Sequence, residues 1–570
     1  MNAVDWWVLL GTMLGIAAYG TWRTRHTDTL NTYLKGNHAT KWGTIGLSVM
    51  ATQASTITYL SLPGQAYESG IAFIQNYFGL PLALIVVCAV FLPIYRKLGV
   101  YTAYEYLGQR FDAKTRLLGA SLFLLQRGIQ SGITIYAPAI ILSTVLGWPL
   151  ELTIVFTGLL VIVYTVTGGS AAVNLTQKWQ MAVIFGGMMT AFVVVLIHLP
   201  PDATHIAGAL GKLQAVDFTP DFERRYTFWS GLLGGFFLSL SYFGTDQSQV
   251  QRYIGGAALR EGRLGLMFNA VFKIPMQFSI VMLGAMLYVF YLFQPGTPVF
   301  FNQTEWQRHR AGPQAAAFRA IEDKYAAAHA DQQVKIKAWV AARHGADAAA
   351  EAATRREMTA AQATAVAIRQ EAKAQLKAVD PRAKTKDSDY VFITFILTQL
   401  PHGVIGLLIA VMFASALSSK AGELNALGTT STIDLWRHFR PLAAHDEARN
   451  VRNAKWFTAA WGFFAIGFAL MVSAAENLIE FLNIVASIFY PALLGVFMVA
   501  FFIKKVGGSA VFWGAVATQA AVLAIYLVGR FNPAYEIGYL WLNPIGCVMC
   551  VLFSLGLQTV WPARKEPVAV

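Results

Sequence analysis

Long apolar runs separated by short polar loops constrain the fold of this chain more than any other feature. They recur along its length, for example at 80–92, 152–167 and 182–199. Runs of about 20 apolar residues cross the hydrocarbon core of a bilayer, which is roughly 30 Å thick. Each backbone N–H and C=O inside that core needs a partner within its own segment, so spans of this kind are expected to be helices. The pattern predicts an all-α, multi-spanning membrane protein.

Composition and charge agree with a membrane protein. Of the 570 residues, 56% are apolar and 13% are charged, and the formal net charge is +13. Most of the Lys and Arg residues lie in short loops between spans, so they are expected to set topology rather than to bind nucleic acid. Cys88, Cys547 and Cys550 all lie in apolar runs, and we expect buried thiols there rather than a disulfide, zinc or redox site.

Hydropathy predicts thirteen spans. They lie near 5–22, 44–66, 71–95, 116–146, 150–168, 178–199, 226–250, 265–293, 390–419, 455–474, 478–503, 509–529 and 535–560. The loops alternate between basic and nearly base-free, which predicts an N-terminus outside and a C-terminus in the cytoplasm. The first run has no basic region before it and no small-residue cleavage pattern, so it is expected to persist as a helix in the cell (inner) membrane.

One segment, 304–388, breaks the hydropathy pattern. It is rich in Ala, Lys, Arg, Glu and Gln, which are good helix formers, and its amphipathicity is weak. The predicted topology places it outside, between the eighth and ninth spans. A solvated helical hairpin or extension is the simpler interpretation, and a docking surface for another protein is the alternative.

The second span carries the densest group of polar residues. They are Ser48, Thr52, Gln53, Ser55, Thr56, Thr58 and Ser61, followed by Pro63-Gly64. So many hydroxyl and β-branched residues weaken a helix. An unwound stretch here would free backbone carbonyls to bind a cation, as in the broken helices of secondary transporters. Packing between helices through small residues is the alternative.

Further polar groups mark the ninth span and the membrane interior. Ser415, Ser418 and Ser419 share one helical face. Their neutral oxygens suit a weakly held monovalent cation, whereas a tight calcium site would need carboxylates. Four charged residues also lie at membrane depth: Arg127, Asp246, Lys273 and Lys420. Each belongs either to a functional pathway or to an internal ion pair or snorkelling terminus.

Five stretches resemble the sodium/solute symporter family, which includes sodium/glucose, proline, sialic acid, multivitamin and monocarboxylate transporters. They are 102–111 (TAYEYLGQRF), 164–180 (YTVTGGSAAVNLTQKWQ), 244–253 (GTDQSQVQRY), the segment around Lys273, and 415–436 (SALSSKAGELNALGTTSTIDLW). Residues 136–148 are similar to the multivitamin and monocarboxylate branch. The resemblance extends over nearly the whole chain except the insert.

The resemblance implies a LeuT-like fold of two inverted five-helix repeats. A leading helix and cytoplasmic loop would occupy 1–43, the first repeat 44–199, the second repeat 226–503 interrupted by the insert 304–388, and two trailing helices 509–560. These add up to thirteen spans, in agreement with the hydropathy count.

The resemblance also implies a sodium site. Carried over by position, it comprises Ala51, Ala54, Ser415, Ser418 and Ser419. Relatives with a second sodium site usually carry an aspartate where this chain has Gln177, and hydroxyl residues where it has Ala421 and Gly422. One sodium ion per cycle is therefore expected. Gating or coupling roles are expected for Asp246, Gln247 and Lys420, and the Lys420 ammonium would repel or replace the cation if it turned inward.

The solute site is expected at the midplane between the repeats. Its expected residues are Gln53, Ser55, Thr58, Phe73, Tyr77, Arg127, Gln130 and Lys273. Arg127 has the planar fork that clamps a carboxylate, which favours a sugar acid or monocarboxylate, while a neutral sugar remains compatible with the amides and hydroxyls.

The expected function is sodium-coupled uptake of a small organic solute by alternating access. A proton-coupled symporter of the same fold and a membrane solute sensor are the alternatives. An enzyme is not expected, because the sequence shows no nucleophile–base pairing, phosphate loop or metal cluster.

Overall fold

A computed structural model describes most of the chain. The described residues are 1–23, 41–254, 257–345, 347–381, 383–440, 447–471 and 477–560, with side chains except at 16–23, 167–176, 178, 179, 447 and 448. Every regular element in these ranges is a helix. Most of the loop predicted after the leading helix falls at 24–40, outside the described residues.

Eight helices precede residue 210. They are α1 (Ala3–Arg23), α2 (Trp42–Gln53), α3 (Thr56–Ser69), α4 (Ile71–Leu98), α5 (Ala103–Arg110), α6 (Ala113–Leu146), α7 (Leu150–His198) and α8 (Ala203–Ala209). The two spans predicted at 150–168 and 178–199 lie in one continuous helix, α7.

Twelve more helices follow in the described residues, besides a short 3-10 helix at Pro533–Tyr535. They are α9 (Ser230–Gly244), α10 (Gln247–Ile254), α11 (Leu259–Phe293), α12 (Gln303–Arg310), α13 (Ala315–His344), α14 (Ala348–Val379), α15 (Ser388–Gln399), α16 (Val404–Phe439), α17 (Glu447–Met471), α18 (Leu478–Phe502), α19 (Gly508–Phe531) and α20 (Tyr539–Val560). The segment predicted as the ninth span, 390–419, is divided between α15 and α16, with a break at Leu400–Gly403.

The helices suit a membrane. Nine in the described part of the chain are long and apolar enough to cross one, and three shorter apolar helices lie at Ala3–Gly15, Leu150–Val166 and Ser230–Gly244. The chain is therefore a multi-pass membrane protein, while the count of thirteen stays a prediction. Cys88, Cys547 and Cys550 are buried and free, as expected.

The second predicted span is broken, as its hydroxyl residues suggested. Helix α2 ends at Gln53 and α3 begins at Thr56. Between them, Ala54 leaves the helical region with φ −88° and ψ 58°. Both half-helices pack against α11, and α2 also packs against α7. The break therefore lies inside the bundle, where irregular backbone is tolerated only if protein or a cavity surrounds it.

The insert is a helical hairpin that packs on the bundle. Helices α13 and α14 lie side by side. Ile336, Trp339 and Met358 from this hairpin belong to the same apolar core as residues of the membrane helices. His329 contacts the backbone oxygen of Tyr291 on α11 through its Nε2, at 2.9 Å. We call the end of the bundle that carries the hairpin the insert end.

Candidate functional site

The break between α2 and α3 exposes backbone carbonyls inside the bundle. The last carbonyls of a helix have no partner within it. The Thr58 hydroxyl satisfies the Gln53 carbonyl at 3.0 Å, and the Ala54 amide satisfies that of Met50 at 2.7 Å. The Ala51 carbonyl is directed instead at α16, where the Ser419 hydroxyl lies 3.3 Å away.

The neighbouring serine of α16, Ser418, is buried and contacts α7. The Ser418 hydroxyl donates to Gln180 Oε1 on α7 at 2.8 Å and lies 3.1 Å from the Ser415 carbonyl. Hard cations such as Ca²⁺ hold oxygens at about 2.3–2.6 Å, so two oxygens separated like those of Ala51 and Ser419 can ligate one ion. The structure thus brings α2 and α16 together through residues of the expected sodium site.

A cavity opens beside the helix break. Its volume, including its open mouth, is about 830 Å³. Seven of the eight residues expected at the solute site line it: Gln53, Ser55, Thr58, Tyr77, Arg127, Gln130 and Lys273. Phe73 lies behind them, with its ring edge-on to that of Tyr77 at 6.0 Å between centroids. Residues far apart in sequence therefore surround one space.

Arg127 already has anionic partners in this cavity. Its guanidinium forms an ion pair with Asp246, and its Nη1 lies 3.6 Å from the carboxylate of Glu423. The Tyr490 hydroxyl bonds to both Arg127 and Asp246, at 3.1 and 2.6 Å. The charge of Arg127 is thus balanced by two protein carboxylates, and a clamp by Arg127 on a solute carboxylate stays a prediction.

The charge of Lys273 is not balanced by a carboxylate of any described residue. Its side chain is 1% exposed and lines the cavity. No described residue forms an ion pair or hydrogen bond with its ammonium, which lies 5.8 Å from the ring centroid of Tyr77. Burying an unpaired charge is costly, and an ionisable residue inside a membrane span is by default a candidate for a functional site.

The three residues assigned to gating or coupling link helices to one another. Asp246 accepts from the Ser248 hydroxyl at 2.6 Å, besides its pairing with Arg127. Gln247 accepts from the Ala103 amide at 3.1 Å and donates to the Tyr101 carbonyl at 2.9 Å. Lys420 donates to the Ser131 carbonyl of α6 at 3.1 Å, so its ammonium is directed at α6 and not at Ala51.

Sequence reasoning missed several polar residues of the site. The cavity also contains Asn76, Tyr242, Glu423, Asn483 and Tyr490. Glu423 carried a signal, because a carboxylate one helical turn beyond Ser419 lies within a buried helix. The others are ordinary polar residues of apolar spans, and only the fold shows that they face a common space.

Comparisons with known proteins place the chain in a family. The model of the sodium:solute symporter family matches residues 33–298 and 362–517. The human sodium/iodide cotransporter is 33% identical over 249 residues, which are 43% of this chain and 39% of that protein. The human sodium-coupled monocarboxylate transporter 1 is 33% identical over 246 residues, 43% of this chain and 40% of that protein.

The alignments with these two relatives span about two fifths of their length. A longer match is the sodium/sialic acid symporter SiaT of Proteus mirabilis (strain HI4320), 24% identical over 531 residues, with 91% of this chain and 89% of that protein covered.

A solved structure shares the fold. It is a substrate-bound, outward-open state of a Na⁺-coupled sialic acid symporter, with a TM-score of 0.73, 21% sequence identity, and 99% of this chain and 100% of that chain covered. At that identity the likeness concerns the fold alone. The family model, in contrast, covers well over half of the sequence. The chain belongs to the sodium:solute symporter family.

Proposed function

We propose that this protein is a secondary active transporter that couples sodium entry to the uptake of a small organic anion. The observation that carries the proposal is the meeting of the Ala51 carbonyl and the Ser419 hydroxyl across the helix break, 3.3 Å apart. These groups join two helices beside the cavity that most of the expected solute residues line. An ion bound between them therefore stabilises one arrangement of the helices that line the cavity.

One sodium ion is expected, held by carbonyl and hydroxyl oxygens of Ala51, Ala54, Ser415, Ser418 and Ser419. All five residues are buried. Their oxygens are neutral, so the ion is held loosely enough to be released where sodium is scarce. We infer coupling to sodium because neutral hydroxyl and carbonyl oxygens suit a weakly held monovalent cation.

The cavity supports an anionic solute. Of the charged residues that line it, Arg127 and Glu423 face each other, whereas Lys273 faces the space alone among the described residues. A carboxylate placed near Lys273 would neutralise that charge, and the amides and hydroxyls around it suit a sugar acid or a hydroxylated monocarboxylate. The relatives whose names mention monocarboxylates and sialic acid act on solutes of this kind.

Transport would follow from a shift in population between states. Sodium that joins α2 to α16 favours the state that binds solute better, and each ligand then raises the affinity of the other by the same factor. The positive-inside rule orients the protein in the cell membrane with its N-terminus outside and its C-terminus in the cytoplasm. Moving one sodium ion inward gains about 2.3 kcal/mol per 100 mV of membrane potential.

Uptake by proteoliposomes tests the proposal. Sodium and proton gradients are imposed separately, and labelled sugar acids, monocarboxylates and neutral sugars are compared. Sodium alone should drive uptake of an anion, and the variant with both Ser418→Ala and Ser419→Ala should lose it. Ser554→Ala, which changes a buried hydroxyl on α20 that is bonded to the Cys550 carbonyl, is the matched control. Uptake driven equally well without sodium would refute the sodium assignment.

A further inference from the structure

Three side chains that can bind a metal meet where the insert begins and ends. Glu305 and His309 lie on α12, and Asp380 is the residue directly after α14. Each offers one ligand atom, a carboxylate oxygen or a ring nitrogen, and these three atoms all lie within 4.8 Å of one another. The fold thus gathers one imidazole and two carboxylates that no local sequence motif connects.

Packing fixes the backbone that carries these side chains. Trp306, which follows Glu305 on α12, is 1% exposed. The Asn302 side chain caps α12 by accepting from the Glu305 amide at 3.2 Å. Leu376, one turn before Asp380, belongs to the same buried apolar cluster as Trp306. The start of α12 and the end of α14 are therefore held together by apolar contacts before any ion binds.

Glu305 and His309 have the spacing of a chelating pair. Residues four apart share one face of a helix, and His309 Nε2 lies 3.3 Å from Glu305 Oε1. This is longer than the usual N–H···O hydrogen bond of about 2.7–3.2 Å. Zinc binds imidazole nitrogen and carboxylate oxygen at about 2.0–2.2 Å in a tetrahedron, which places its ligand atoms about 3.3–3.5 Å apart. The two atoms already have that separation.

The ligand types indicate the class of ion. Imidazole nitrogen suits zinc, copper, iron and nickel, whereas calcium takes six to eight oxygen ligands. Three protein ligands and a fourth position for water are a common arrangement around zinc. The side chains of His309 and Glu305 are 11% and 15% exposed, so solvent reaches the group.

We propose that Glu305, His309 and Asp380 bind a divalent transition-metal ion, for which zinc fits best. Side-chain rotation from separations within 4.8 Å completes the tetrahedron. The ion joins α12 to the end of α14, and its binding free energy adds to the stability of the folded insert. Glu305 and His309 lie outside the residues that the family model matches, so the site belongs to the insert and goes beyond the proposed transport.

Zinc titration of the full-length protein tests the proposal. The protein is purified in detergent without a histidine tag and treated with EDTA. Calorimetry with ZnCl₂ should then show one tightly bound ion per molecule, and zinc should raise the unfolding temperature. His309→Gln and Asp380→Asn each remove a ligand at similar side-chain size. Each should weaken zinc binding by about tenfold or more, since even indirect partners of a bound metal contribute that much.

His344→Gln is the matched control. His344 Nε2 lies 3.0 Å from a carboxylate oxygen of Asp202, but no third metal-ligating group of the described residues joins this pair. That variant should bind zinc like the unmodified protein. Hydrogen exchange locates the ion: zinc should slow exchange at 303–310 and 376–380 and leave α19 unchanged.

The metal site is refuted if the EDTA-treated protein binds no zinc, or if His309→Gln binds zinc as tightly as the unmodified protein. Equal stabilisation by Ca²⁺ and Zn²⁺ would overturn the assigned class of ion. None of these results bears on sodium-driven uptake, which is measured separately.

Discussion

Lys420 and Glu423 form a buried ion pair within a single turn of α16, directly after the serines expected to bind sodium. The Glu423 carboxylate is also 3.4 Å from the Thr134 hydroxyl and 3.6 Å from Arg127. One carboxylate thus links the lysine beside the sodium site to the arginine in the cavity wall. The ammonium of Lys420 is thus paired with a carboxylate, and this removes the reason to expect that it displaces the sodium ion.

Glu423→Gln should destabilise the protein by about 3–5 kcal/mol, because it leaves the buried ammonium of Lys420 without its carboxylate. Thermal unfolding in detergent measures the loss. Lys420→Met combined with Glu423→Gln removes both charges and should recover much of the stability. A double variant as unstable as Glu423→Gln alone would show that loss of the ion pair is not the cause of the lower stability.

Lys273→Met should raise stability and reduce uptake at the same time. Removing an unpaired buried charge relieves its desolvation, whereas a hydrogen bond to a charged group of the solute, worth about 1.5–3 kcal/mol, is lost. The KM for an anionic solute should then rise by about tenfold or more. Lys273→Arg, which keeps the charge, should retain more of the affinity. Unchanged anion uptake by Lys273→Met would exclude the ammonium from the site.

Gln180→Leu should raise the sodium concentration needed for half-maximal uptake by about three- to tenfold. The Ser418 hydroxyl donates to Gln180 at 2.8 Å, which leaves its lone pairs available to the ion. Losing one such bond costs about 0.5–1.5 kcal/mol. Gln126→Leu is the control, because that buried amide has no hydrogen bond to any described residue. Equal effects of the two substitutions would contradict the assigned role of Gln180.

Gly284→Ala should destabilise the protein by about 1–3 kcal/mol through overpacking. Gly284 of α11 lies against the backbone of Pro63 on α3, and an added Cβ would overlap the Pro63 carbonyl. Gly186→Ala on α7 meets nothing within 4 Å, so it should be neutral or slightly stabilising. Thermal unfolding of both variants measures the difference, and a similar loss in both would argue against the close approach of α3 and α11.

Arg369→Ala should loosen the attachment of the hairpin to the membrane helices at the insert end. Arg369 of α14 pairs with the buried Asp387, donates to the Tyr67 hydroxyl at 3.3 Å and lies 4.9 Å from the ring centroid of Phe301. Hydrogen exchange along α13 and α14 should become faster. The exposed Arg356 of the same helix serves as the control, since Arg356→Ala should change stability by less than about 0.5 kcal/mol. Protection that survives Arg369→Ala would mean that apolar packing alone holds the hairpin.

Local signals predicted much of this architecture. Apolar runs indicated the membrane helices, and the hydroxyl residues around Ser55 indicated the break between α2 and α3. Both hydropathy and helix propensity depend on residues that are close together in the sequence. The division of α15 from α16 was also visible in principle. Pro401 and Gly403 interrupt the apolar run, and Gly403 adopts a φ of 88°.

Long-range pairing could not be predicted in the same way. The fold brings Arg127 to Asp246, 119 residues along the chain. Nothing in either local sequence specifies that partner. The weak amphipathicity of the insert likewise gave no sign that Trp339 packs into the core.

The packing of α13 and α14 against the membrane helices also has a practical consequence. Ile336, Trp339 and Met358 anchor the hairpin to the bundle, so side-chain packing fixes its position relative to the membrane helices. An antibody fragment raised against its outer face would hold a fixed orientation, and would supply the alignment marker that electron cryomicroscopy of a small transporter requires.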